Sequence, residues 1–374
     1  MNKWSRQIFS TTLWVLVAFS AASQVRVDKE YDKLFAVNPG DKVDVTNKYG
    51  EVIVQTWYKD SVRVKVNVEA RGKHEYAVNK AMRRVDIELR KIGNLIVAET
   101  EIEKKGGMLS ELMGEVSNVS NSLFSNQKFT VDYEIWLPAD VAISIENRYG
   151  NVYLAQLEGP VDLTLAHGDI RGNRIDHKID LKHSFGKVTF DYIKEGEISL
   201  RGSEFKVDEA DELFFESSSS EISIQKSNTL KFNSRNDKFY LDQVKNIHGD
   251  GSFTDLNLAN LAITARLDFS YGDIYLNGIA HDFDEVTISG KSTDINLVLD
   301  QASYIQAKIT GPEKSMFLPN SMLTLRREAL EDDRVSLTGT VGNTNTNISS
   351  MNVKANHGKI IVAISEVPIF TSRD

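Results

Sequence analysis

Three aspartates, Asp255, Asp273 and Asp294, each follow a tight turn, and theirs are the side chains of this chain best spaced for chemistry. Carboxylates stacked in a file offer oxygen ligands to calcium, and beside a basic residue they could cleave a polysaccharide. The equivalent positions elsewhere read Asn151, Asp169, Lys187, Glu204, Glu221 and Lys238. That mixture is how a solvated edge reads, because Asp favours turns and Lys keeps an edge soluble. The seven histidines (74, 167, 177, 183, 248, 281 and 357) form neither a His-Glu-x-x-His motif nor a helical i, i+4 pair. His167, His177 and His183 share two adjacent repeats at offsets that do not align. No nucleophile elbow or phosphate-cradling loop occurs, and Gly249-x-Gly251 is a turn, not a nucleotide site. With no cysteine, disulfides, thiolate metal sites and a thiol nucleophile are all excluded. The expectation is a non-enzyme with no catalytic residue, no metal and no cofactor.

Aromatic residues give the better lead. Tyr153, Tyr240 and Tyr275 fall at outward positions of their repeats, among Arg171, Lys206 and Asn257. Rigid rings beside polar groups suit a glycan or a protein surface. Tyrosine is also simply favoured in strands.

The element that must position these residues is a repeat. Asn147-Arg148-Tyr149-Gly150-Asn151-Val152-Tyr153-Leu154 gives the unit: a polar turn, one polar residue, then apolar-x-apolar. Its turn recurs at 168, 186, 203, 220, 237, 254 and 272, at spacings of 17 or 18 residues, and then at 293. A short fixed period of strand-length pieces predicts an all-β chain, a β-solenoid (β-helix) of about 17–18-residue rungs. Val152, Ile170, Val188, Phe205, Ile222, Phe239, Leu256, Ile274 and Ile295 then align as one inner file, and the residues between them face solvent.

Before the repeat, residues 24–140 read as a β-rich cap. Val62 to Val68 alternates cleanly, and Val78, Ala81, Met82 and Val85 fit one amphipathic helix over 73–85. An insertion at about 101–128, rich in Ser and Asn, interrupts the cap. The repeat domain spans 141–367, with a polar insertion from Gly311 to Asp333, and the period resumes at Val335–Gly342 and Val353–Val362. Residues 368–374 form a tail. Asn118 and Asn347 head N-glycosylation-type triplets, a pattern that recurs by chance.

Lys3 and Arg6, an apolar run over 8–19 and small residues at 20–23 read as a cleaved signal peptide. The mature chain is then exported, to the periplasm or the cell surface, with no transmembrane segment after cleavage. A net charge of −9 argues against nucleic acid as a partner. An unknown surface protein or glycan remains.

The chain resembles the bacterial putative-adhesin β-strand-repeat families, including the adhesin head-domain type. The resemblance rests on the exported start, the cap with one helix, Trp136-Leu137-Pro138, the Tyr-Gly-Asn-Val and Tyr-Gly-Asp-Ile turns, and the closing Asn356-His357-Gly358-Lys359-Ile360. It implies a stacked sheet and an adhesive or scaffolding role, and it brings no catalytic residues. A carbohydrate-binding or polysaccharide-degrading β-helix and a periplasmic envelope or signalling protein are the alternatives.

Overall fold

A computed structural model describes residues 24–102, 128–342 and 348–369. The expected signal segment, most of the expected 101–128 insertion, the two glycosylation-type asparagines and the last five residues of the expected tail lie outside the described residues. Among the described residues every strand belongs to one sheet of 21 strands.

Its core is a stack of parallel coils. Val161–Ala166 pairs with residues 179–184 on one side and 143–148 on the other, each at an offset of 18. Glu221–Arg235 lies between 204–218 and 238–252 at offsets of 17. The offset widens to 21 between the strands Asp255–Ile279 and Glu285–Leu299. All nine expected inner residues, from Val152 to Ile295, are fully buried. Alternation puts their neighbours outside, so each coil hides its apolar side only against the next coil. At about 25 cal/mol per Å² of apolar surface removed from water, this file supplies much of the driving force.

The stack extends further than the 17-residue period reveals. Lys42–Lys48 pairs in register with 142–148, and Val52–Val54 with Val152–Leu154, at an offset of 100 residues. At the other end Ile295 lies against Ile360 and Val286 against Met351, at an offset of 65. Val52 and Ile360, both fully buried, thus continue the inner file.

Two local expectations change. The helix covers Glu75–Met82 only, burying Val78, and Val85 opens the next strand. Arg334–Gly342 is not a coil: it runs antiparallel to Tyr304–Pro312, which itself pairs in parallel with Ser349–Ala355, so the two form a hairpin at the end of the stack. The period resumes at Ser349–Ala355 and Ile360–Ile364. The hairpin's alternation mimics a coil because any half-buried strand has the same period of two. The outermost strands carry charge, as in Val25–Ala36 and the fully exposed Arg326–Ala329, which discourages edge-to-edge pairing.

Candidate functional site

The outward file builds one candidate face. Lys206 lies against Ser223, Ser223 against Tyr240, and Tyr240 against Asn257. Lys206, Ser223, Tyr240 and Asn257 line one shallow depression. Tyr275 stands one coil further along and faces Asn296. Tyr240 and Tyr275 are exposed, and Asn257 accepts a 2.7 Å hydrogen bond from the Asn277 amide. Tyr153 and Arg171 are register partners near the opposite end of the stack. The six sequence-predicted residues therefore lie on one face but in two groups, separated by the coil whose outward residue is Thr189.

The aspartates stack as well. Asp273 is the register partner of Asp294, and Asp255 lies one coil away on the other side. Burial, then repulsion from Asp255 and Asp294, pushes the Asp273 carboxyl above its ordinary range. Asp294 accepts the Lys359 amide at 2.8 Å, with the Lys359 ammonium 3.6 Å away. Asn151 likewise accepts the Asp169 amide, and Asp169 accepts the Lys187 amide. Much of this position therefore clamps one coil to the next. Among the described residues, the only acidic group close enough to share an ion is Glu88, Glu99 and Glu101, on two neighbouring strands of the cap.

Because its folded pKa is raised, Asp273 contributes stability only at acid pH, and the contribution is lost as pH rises through that value. Asp273→Asn is therefore expected to stabilise the chain at neutral pH by about 0.5 kcal/mol. Thermal melts of both proteins, with and without added salt, read this directly, and salt should narrow the gap.

A buried polar spine runs under the turns. Asn147 donates to the carbonyls of Gly50 and Gly150 at 3.0 and 3.2 Å. Two coils along, His183 occupies the same file, and its Nε2 lies 2.9 Å from the Gly168 carbonyl. That carbonyl can only accept, so Nε2 carries the hydrogen and Nδ1 takes one from the Ser203 hydroxyl at 2.8 Å. Where the turn lacks glycine, Asp237 takes over. It is 1% exposed and accepts from the Ser217 and Ser234 hydroxyls and the Ser220 amide. These contacts account for the irregular middle turns.

Burial pushes the His183 imidazole below its ordinary value. The unfolded chain therefore takes up this proton first, near pH ~6.5. Stability from His183 is full above that pH and is lost as pH falls through the lower folded value. His183→Asn, the residue type of Asn147, is expected to flatten the fall in denaturant midpoint between about pH 7 and 5.

Sequence reasoning missed an aromatic ladder. The residue before each turn adopts a left-handed backbone: Tyr49, Tyr149, His167, Phe185, Gly202, Ser219, Asn236, Phe253, Tyr271 and Ser292. Tyr49, Tyr149, His167 and Phe185 stack with ring centroids 5.1–5.4 Å apart, and Phe253 stacks on Tyr271 at 5.0 Å. Left-handed φ costs a bulky residue about 1–2 kcal/mol, which the stacking offsets. Phe185 and Phe253 remain 51% and 55% exposed, so the rings stand as a ridge along one corner of the stack. The signal was present: an aromatic or His precedes glycine at 49, 149, 167, 185, 271 and 357.

No family model matches the chain, and neither does any curated protein. Among solved structures it is similar to a putative cell adhesion protein from Clostridium sporogenes, at 12% identity, covering 91% of this chain and all of that one, with a TM-score of 0.17. A putative adhesin from Parabacteroides merdae shows 9% identity over 89% of this chain and 96% of that one, with a TM-score of 0.28. Another from Parabacteroides distasonis shows 11% identity over 71% and 92%, with a TM-score of 0.27.

Proposed function

We propose that this chain is an exported, non-enzymatic, adhesin-like or scaffolding protein that binds a surface or partner through its repeat face. The observation that carries the reading is the outward file Lys206, Ser223, Tyr240, Asn257 and Tyr275, held on a fully buried inner file. Such a face is rigid before binding, so little ordering cost opposes contact, and many weak polar and aromatic contacts sum along it. The partner is an unknown surface protein or glycan. Among the described residues no helix is long and apolar enough to cross a membrane. Export to the periplasm or cell surface rests on the apolar N-terminal run and its small-residue end.

The test is a glycan array run beside whole-cell fractionation, with Tyr153→Ala, Tyr240→Ala and Tyr275→Ala made singly and together. A binding face loses affinity in steps as tyrosines are removed. Hydrolysis of an array glycan, abolished by replacing one acid, would instead identify an enzyme. Recovery of the chain in the cytoplasmic fraction would overturn the export.

A further inference from the structure

The flank of the stack just before the corner carries a second site, on a different face from the tyrosines and going beyond the reading above. An open depression of about 550 Å³ spans four coils there. Lys182, Ser184, Arg201, Glu216, Ser218 and Asn233 line it. Ser184, Arg201 and Ser218 each immediately precede a corner residue: Phe185, Gly202 and Ser219. Phe185 leans over Gly202, where a Cβ would stand 3.1 Å from the ring.

The charges are what make it a site. Elsewhere on these coils Lys178 pairs with Glu197, Lys187 with Glu204 and Lys226 with Glu209, whereas Lys231 and Arg235, on the same flank, widen the unpaired positive charge. Among the described residues, neither the Lys182 ammonium nor the exposed Arg201 guanidinium has a carboxylate partner. Two unpaired cations in one depression of a chain with net charge −9 call for an anion. The rest of the lining calls for hydroxyls. The Glu216 carboxylate accepts hydrogen bonds, and the Asn233 amide and the two serines both donate and accept. A purely anionic ligand would be repelled by Glu216, whereas a sugar hydroxyl would donate to it.

We propose that this depression binds a saccharide bearing a carboxylate, with Arg201 and Lys182 holding the carboxylate and Glu216 and Asn233 reading the hydroxyls. Calorimetric titration of the full chain with trigalacturonate, with neutral galactotriose and with an aspartate-rich peptide of equal charge tests it. Trigalacturonate is expected to bind at least about tenfold more tightly than either competitor, the size of one charge-assisted contact. Arg201→Gln and Lys182→Gln should each weaken it about tenfold with unchanged melting temperature, while Lys226→Gln should not. Equal affinity for galactotriose would remove the role of the cations, and equal affinity for the peptide would reduce the site to charge alone. No uronate binding up to about 10 mM would overturn the proposal, whatever the tyrosine variants do on cells.

Discussion

Gly150→Ala is expected to destabilise the chain by about 3 kcal/mol, the upper range for a forced contact in a packed interior. Gly150 sits directly over Gly50, and an added Cβ would press into the Gly50 carbonyl. Gly168 stands over Gly150 in the same way, Gly186 over Gly168 and Gly272 over Thr254. The obstacle is the Gly50 backbone, so no side chain can swing clear. Gly150 is not among the positive-φ residues, so the loss reports coil separation and not conformational strain. Gly93→Ala is the matching control: its φ is +59° with open space around it, and it should cost about 1 kcal/mol from strain alone. Denaturant melts of the two variants separate the two effects.

Val188→Asp is expected to cost about 4 kcal/mol or more, and Thr189→Asp less than about 1. Val188 is fully buried in the inner file, whereas Thr189 is half-buried and points outward. A carboxylate at 188 has no cation and no donor to meet it, so it must either stay unsolvated or open two coils. One residue along, water solvates it. The reverse order, with Thr189→Asp the costlier, would place the chain one residue out of register, because a single-residue slip exchanges the two faces.

Much of this architecture is legible in the sequence, for a physical reason. A coil that must turn sharply over its neighbour has room only for glycine, or for a short side chain that bonds locally, and the pleat fixes inner residues at every second position. Val152 to Ile295 could therefore be aligned by eye. The early Tyr49-Gly50 and late His357-Gly358 turns were equally visible. Their partners were not, because 100 and 65 residues of other strands intervene and no period spans them. Val335–Gly342 failed for the opposite reason: alternation reveals a half-buried strand but not the direction of its neighbour.

The candidate sites were less legible. Tyr153, Tyr240 and Tyr275 could be placed outward, but their division into two groups follows from the coil count between them. The ridge of Tyr149, His167 and Phe185 was hidden because a ring before a glycine reads as an ordinary turn, and nothing local announces a left-handed backbone. Nothing local in the sequence marks His183 or Asp237 as buried. They are buried because the turns above them leave carbonyls and amides that only side chains can reach.

The central claim is that residues one coil apart in sequence are neighbours in space, and the absence of native cysteine makes it directly measurable. Lys206 and Ser223 are register partners, so their Cα atoms should lie about 4.8 Å apart, within reach of a disulfide. Lys206→Cys combined with Ser223→Cys is expected to cross-link fully under mild oxidation, while Lys206→Cys with Gln225→Cys stays reduced. Equal cross-linking of both pairs, or of neither, would contradict the stacked coils and the binding faces built on them.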